Sequence, residues 1–149
     1  KVINMTETVL VTGSYRGIGL ELCKQLSAGG KHVIATCRHS SPALAALQVE
    51  VSEGVATSDL NSLAALATKL DVRGINWLIN IAGIANGISM DELDQSAVES
   101  SIRMFEVNSL GPLLTTQALL NNLGVGSKVC IVTSRLGSFA DNYSGVSYG

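Results

Sequence analysis

The sequence predicts a doubly wound α/β sheet, and three observations carry that expectation. Thr8-Val9-Leu10-Val11-Thr12 is a run of β-formers that enters a turn holding three glycines, and an apolar pattern of helical period leaves the turn through Ile18, Leu22 and Leu26. Further short β-forming runs alternate with stretches of helical periodicity along the rest of the chain. Of the 149 residues, 46% are hydrophobic and two are proline, which is enough apolar material for one domain with a proper core. Strands alternating with helices pair in parallel through right-handed crossovers, so the helices cover both faces and the expected strand order is 3-2-1-4-5.

Each element has a local reason. The first helix begins near Gly17 and stops around Ala28-Gly29-Gly30, where glycine marks the end. His32-Val33-Ile34-Ala35-Thr36-Cys37 is a second strand, Pro42 opens a short Ala/Leu-rich helix to about Leu47, and Val55-Ala56-Thr57 ends a weaker third strand. Leu63, Leu66, Ala67 and Leu70 follow at helical spacing, with Asp59 or Asn61 as the cap. Asn76-Trp77-Leu78-Ile79-Asn80 is the fourth strand, a long helical region runs from about Asp91 to Asn121, and Lys128 to Thr133 is the fifth strand.

Composition excludes several function classes. A net charge of −2 with scattered Lys and Arg gives no basic stripe for nucleic acid. No apolar run approaches the roughly 18 to 20 residues that span a bilayer, so no membrane contact is expected. Cys23, Cys37 and Cys130 lack metal-ligand spacing and sit in apolar contexts, as buried thiols of a reducing cytoplasm would. Lys1 to Asn4 precede Met5, either as an expression remnant or as an ordinary extension.

The first turn carries the chemistry. Glycines let the backbone approach a pyrophosphate without Cβ clashes, and the following helix offers unpaired N–H groups and a partial positive charge, so Gly13, Ser14, Tyr15, Arg16, Gly17, Ile18 and Gly19 form an expected phosphate cradle. Their spacing is G-x-x-x-G-x-G, not the G-x-G-x-x-G of most dinucleotide folds. With Thr12 in front, the stretch resembles the short-chain dehydrogenase/reductase family, in its carbonyl reductase and C-factor-like branch.

The resemblance implies a Rossmann-like dinucleotide-binding domain over residues 1–149 and roles for several later residues. No acidic residue lies between His32 and Ser41, where an NAD-selective site would place one, whereas Arg38 and Arg16 match basic positions that imply NADP(H), since guanidinium forks fit phosphate oxygens. Asp59 lies near the family's adenine-contacting acid, but it serves equally as the acidic cap beyond that contact, with Ala56 near the usual place; both readings stand. Asn80-Ile81-Ala82-Gly83 resembles the family's Asn-Asn-Ala-Gly, its small residues leaving room for the cofactor and Asn80 tying neighbouring strands. Phe105 to Pro112 resembles the segment of the catalytic asparagine, so Asn108 is expected to distort its helix and hold a water in a proton relay; a break between two helices is the plain alternative. Thr133-Ser134-Arg135-Leu136-Gly137 resembles Ser-Ser-x-x-Gly, which makes Ser134 the expected catalytic serine, with Ser138 a weaker candidate.

No Tyr-x-x-x-Lys follows Ser134; the chain stops at Tyr148-Gly149, and Tyr148 is either the catalytic tyrosine with its lysine lost or, the favoured reading, the aromatic residue two places ahead of it, with Tyr143 in a loop. The resemblance therefore implies an amino-terminal part of a longer member, lacking the last strands, with the Val129 to Val132 edge bare and homo-oligomerisation open. The activity implied is hydride transfer between NADP(H) and a small carbonyl or alcohol substrate in the cytoplasm, with little catalysis from these residues alone; the alternative is a non-catalytic nucleotide-binding or signalling protein.

Overall fold

The computed structural model describes residues 6–85, 94–135, 138 and 140. The Lys1 to Asn4 extension, the start of the long helical region at Asp91, Gly137, Tyr143 and Tyr148 lie outside the described residues. Five parallel strands form one sheet in the order 3-2-1-4-5: β1 (Thr8–Thr12), β2 (His32–Thr36), β3 (Glu50–Ser52), β4 (Ile75–Asn80) and β5 (Leu123–Ile131). The intervening helices are α1 (Gly17–Ala28), α2 (Pro42–Ala45), α3 (Leu60–Leu70), α4 (Gln95–Phe105) and α5 (Gly111–Ala118).

Side-chain alternation splits the core into two layers, as a parallel sheet covered on both faces requires. Val9, Val11, Val33 and Ala35 point to one face and pack with Cys23 of α1 and Leu44 of α2. Leu10, Ile34 and Leu78 point to the other, against Leu63, Leu66 and Leu70 of α3 and Leu119 beyond α5. The inward face of α1 is Gly19 and Cys23, with Leu20, Leu22 and Leu26 at its flanks; Ile18 is 70% exposed. The helical stripe read through Ile18 thus begins one residue later, because the first turn of α1 stands at the rim of a cleft.

Two strands differ from expectation. The third strand is Glu50–Ser52 and has ended before Val55, since the chain turns at Gly54 with φ +77°. Glu50 breaks the apolar pattern of this strand: it sits at the sheet edge, where its carboxylate pairs with both Nη atoms of Arg73 at 2.7 and 3.0 Å. The fifth strand starts earlier, at Leu123 opposite Ile75, then skips register and resumes with Lys128 opposite Trp77. Ser127 fills the skip by donating its hydroxyl to the Ile75 carbonyl at 2.7 Å. Among the described residues β5 ends the sheet, with Val129, Ile131 and Val132 exposed.

Candidate functional site

A cleft of about 280 Å³ opens at the carboxyl ends of the strands, where the order reverses between β1 and β4, the position at which sheets of this type bind ligands. Gly13, Tyr15, Arg16, Gly17 and Ile18 line it from the β1–α1 loop, Arg38 from the end of β2, and Ala82 and Gly83 from the end of β4.

The loop needs glycine at defined places. Gly13 and Gly17 hold φ of +68° and +57°, and a Cβ on Gly13 would lie 2.8 Å from the Ala82 Cα. Gly19 lets α1 cross directly over the loop, since a Cβ there would meet the Gly13 carbonyl oxygen at 2.3 Å. At Gly17, by contrast, a Cβ would meet nothing within 4 Å, so that face of the loop is open to the cleft. The Arg16 side chain does not cap α1, and no acidic residue occupies its first turn. Its first N–H groups and positive dipole end therefore remain available to an anion.

Ser14 differs from the rest of the loop. It is fully buried, its hydroxyl donates to the Val11 carbonyl at 2.8 Å and its N–H to the Thr36 carbonyl at 3.1 Å, so it braces the loop from beneath. Below it, burial pushes the Cys23 thiol pKa up, partly offset by a hydrogen bond with Ser14. Cys23 and Cys37 are buried free thiols and Cys130 is half-buried. Tyr15 and Arg16 engage each other, the Arg16 Nε donating to the Tyr15 hydroxyl with the guanidinium 5.2 Å from the ring centre.

Thr12 joins the two halves of the site. Fully buried at the end of β1, its Oγ1 accepts from the N–H groups of Ile81 at 3.0 Å and Ala82 at 3.1 Å. This is the tie expected of Asn80. Asn80 links β4 to the residue after β5 through its backbone carbonyl, which accepts from the Val132 N–H at 2.9 Å, while both polar atoms of its buried side chain lack a partner among the described residues. The sequence signal for Thr12 was its place directly before Gly13: a β-branched hydroxyl there faces the neighbouring strand end.

Asp59 is the cap of α3, its two carboxylate oxygens accepting from the Asn61 and Ser62 N–H groups at 3.1 and 3.3 Å. The cleft wall at this end is built instead from Val55, Ala56, Thr57 and Ser58, with Arg103 of α4 opposite. No local pattern marks Arg103, because its contact with Ser58 spans 45 residues.

Asn108 lies in a π-helical turn, Glu106–Leu110, between α4 and α5. The Gly111 N–H reaches back to the Glu106 carbonyl, and Pro112 has no N–H to serve the Asn108 carbonyl as its ordinary i+4 donor. The Asn108 side chain clamps the chain after β4: Oδ1 accepts from the Ile84 N–H at 2.9 Å and Nδ2 donates to the Ile84 carbonyl at 2.8 Å. Gly83 leaves room for it, a Cβ there lying 3.3 Å from Oδ1. Ser134, half-buried, follows β5 on the strand beside Asn80. Neither Asn108 nor Ser134 lines the cleft itself.

The family profile of the short chain dehydrogenases matches residues 7–149. The chain belongs to the short-chain dehydrogenase family. This member is 39% identical over 143 residues to 1-hydroxy-2-glutathionyl-2-methyl-3-butene dehydrogenase of Rhodococcus sp. strain AD45, covering 95% of this chain and 62% of that protein. It is also 36% identical over 89 residues to the C-signal protein of Myxococcus xanthus, covering 58% and 52%. A carbonyl reductase from Pseudomonas aeruginosa PAO1, solved in complex with NADP, superposes with a TM-score of 0.84 at 27% identity, covering 94% of this chain and 66% of that one. The NADPH-bound carbonyl reductase from chicken fatty liver gives 0.77 at 29%, covering 93% and 63%. This dehydrogenase-family chain thus spans at most about two thirds of these proteins. Among its described residues, no helix is long and apolar enough to cross a membrane, and no cluster of His, Cys, Asp and Glu could hold a metal ion.

Proposed function

We propose that this chain is the cofactor-binding part of an NADP(H)-dependent reductase that transfers hydride between the nicotinamide and a small carbonyl or alcohol compound. The observation that carries the reading is the pairing of an open, uncapped helix start at Gly17 with Arg16 and Arg38 in one cleft that no acidic side chain lines among the described residues. The pyrophosphate would lie on the N–H groups of the α1 first turn. Arg38, whose guanidinium has no partner among the described residues, and Arg16 would take a ribose 2′-phosphate through charge-assisted forks. The NADP-bound carbonyl reductases among the structural relatives support that choice.

When bound, the nicotinamide supplies the hydride chemistry; the chain supplies orientation and polar contacts. Ser134 would donate a hydrogen bond to the substrate carbonyl and stabilise negative charge developing on its oxygen. The Asn108 carbonyl, left without its usual donor by Pro112, would hold a water of the proton relay, while the Asn108 amide keeps the 81–84 segment in place. A tyrosine depressed in pKa by a lysine four residues later is the general acid that such chemistry requires, and no such pair follows Ser134 within these 149 residues.

Oxidation of NADPH over a panel of aldehydes and ketones tests the proposal, measured on the 149-residue chain and on the product of the whole natural gene. Loss of the general acid should slow the chain by about 10² to 10⁴-fold relative to the whole product; equal rates, or no turnover by either, would refute it. The likeness to C-signal supports the alternative of a nucleotide-binding protein without catalysis, which the second of those results would favour.

A further inference from the structure

Among the described residues three arginines line the cleft, and the proposed 2′-phosphate contact uses two of them. The third, Arg103 of α4, faces the wall of Val55, Ala56, Thr57 and Ser58 and reaches it at Ser58. Its Nη1 donates to the Ser58 hydroxyl at 3.0 Å and to the Glu106 carboxylate at 2.9 Å, which anchors the guanidinium from one corner.

In a sheet of this kind the pyrophosphate sits at the first strand-helix turn and its ribose at the end of the second strand, so the attached base falls beyond it, toward β3. Among the described residues, the polar groups on the β3 side of the cleft that could read a base edge are neutral, and several are already engaged. Ala56 spends both backbone groups on Ser62, whose hydroxyl lies 3.0 Å from its N–H and 2.9 Å from its carbonyl. The Ser58 hydroxyl accepts from Arg103, and both Asp59 oxygens cap α3. Among the described residues no carboxylate lines the cleft, so an exocyclic amino group finds no charged acceptor on these walls. A guanidinium, in contrast, presents a flat cationic face to any π system.

We infer that Arg103 is a specificity-determining residue that holds the purine by its face and leaves the 6-substituent unread, so that the cleft accepts a hypoxanthine dinucleotide phosphate as readily as the adenine one. This rests on the dinucleotide reading above. Calorimetric titration of the 149-residue chain with NADPH and with its deamino (hypoxanthine) analogue tests it. The two affinities should agree within about threefold, and Arg103→Ala should weaken both by about tenfold while leaving their ratio unchanged. Arg103→Lys, which keeps the charge without the flat fork, should recover less than half of that loss on a logarithmic scale. Glu106→Gln breaks the ion pair but keeps the guanidinium, and should leave both affinities within about twofold, which a merely structural role of Arg103 would not allow. A deamino affinity more than about threefold weaker, an Arg103→Ala variant that binds normally, or a Glu106→Gln variant that copies its loss would overturn the inference. Failure of the unaltered chain to bind NADPH at all would instead overturn the dinucleotide reading beneath it.

Discussion

Thr12→Val removes one oxygen from the centre of the site and changes almost nothing else. The side chain is fully buried, and valine keeps its shape. What disappears is the acceptor for two N–H groups, those of Ile81 and Ala82, held at 3.0 and 3.1 Å. A buried donor left without a partner costs about 1–3 kcal/mol. Both residues are only half-buried, so water from the cleft recovers part of that cost, and the expected loss is about 2–3 kcal/mol for the pair. For a domain of this size that is a fall in Tm of about 5–10 °C. Thr12→Ser keeps the acceptor and should lose only about 1 kcal/mol, the worth of one methyl group. Urea unfolding followed by Trp77 fluorescence gives both numbers. The same variant should also weaken NADPH, because Ala82 packs directly against Gly13 and a loosened β4 end releases the glycine loop. Should Thr12→Val prove as stable as Thr12→Ser, with unchanged cofactor affinity, the claim that this hydroxyl ties the two strand ends would be wrong.

Three further outcomes follow from the same geometry. Gly19→Ala drives a Cβ to 2.3 Å from the Gly13 carbonyl, so α1 or the loop must shift; NADPH affinity should fall by at least about tenfold even where circular dichroism shows a folded protein. Asp59→Ala should cost about 1 kcal/mol in unfolding experiments through the lost cap and leave cofactor affinity unaltered; a selective loss of affinity would return Asp59 to the adenine site. The Arg73 hydrogen bonds hold the Glu50 carboxyl below its usual range, so its contribution to stability is complete above the unfolded pKa and disappears as pH falls through the lower folded value. Glu50→Gln should therefore cost up to about 1 kcal/mol at pH 7 and progressively less as pH falls below the unfolded carboxyl value, and a cost independent of pH in urea titrations would contradict this.

The parts of the fold that were legible in sequence are those where local chemistry and tertiary demand coincide. Gly13 and Gly17 sit at positive φ and Gly19 at a helix crossing, so only one residue type fits and its spacing shows directly. Likewise β1 and β2 are buried on both faces and read as apolar runs, and β4 shows through Trp77-Leu78-Ile79. The third strand was misplaced because an edge strand of three residues, carrying Glu50, has no apolar pattern, whereas Val55 is apolar for a different reason: it joins the core under α3. Ser14 belonged by position to the cradle, but its polarity serves the Val11 and Thr36 carbonyls. Asn108 was visible as an expensive residue inside a helix, and the structure shows the expense as a π turn with a clamp on Ile84. Arg103 was invisible, since its meaning comes only from the loop it meets across the cleft.

The most direct test of the account is calorimetric titration of the 149-residue chain with NADPH and NADH, repeated after Arg38→Ala. The account predicts NADPH as the tighter ligand, with the preference reduced by at least about tenfold in the variant as the 2′-phosphate loses its fork. Tighter binding of NADH, or an NADPH preference that survives Arg38→Ala intact, would contradict it.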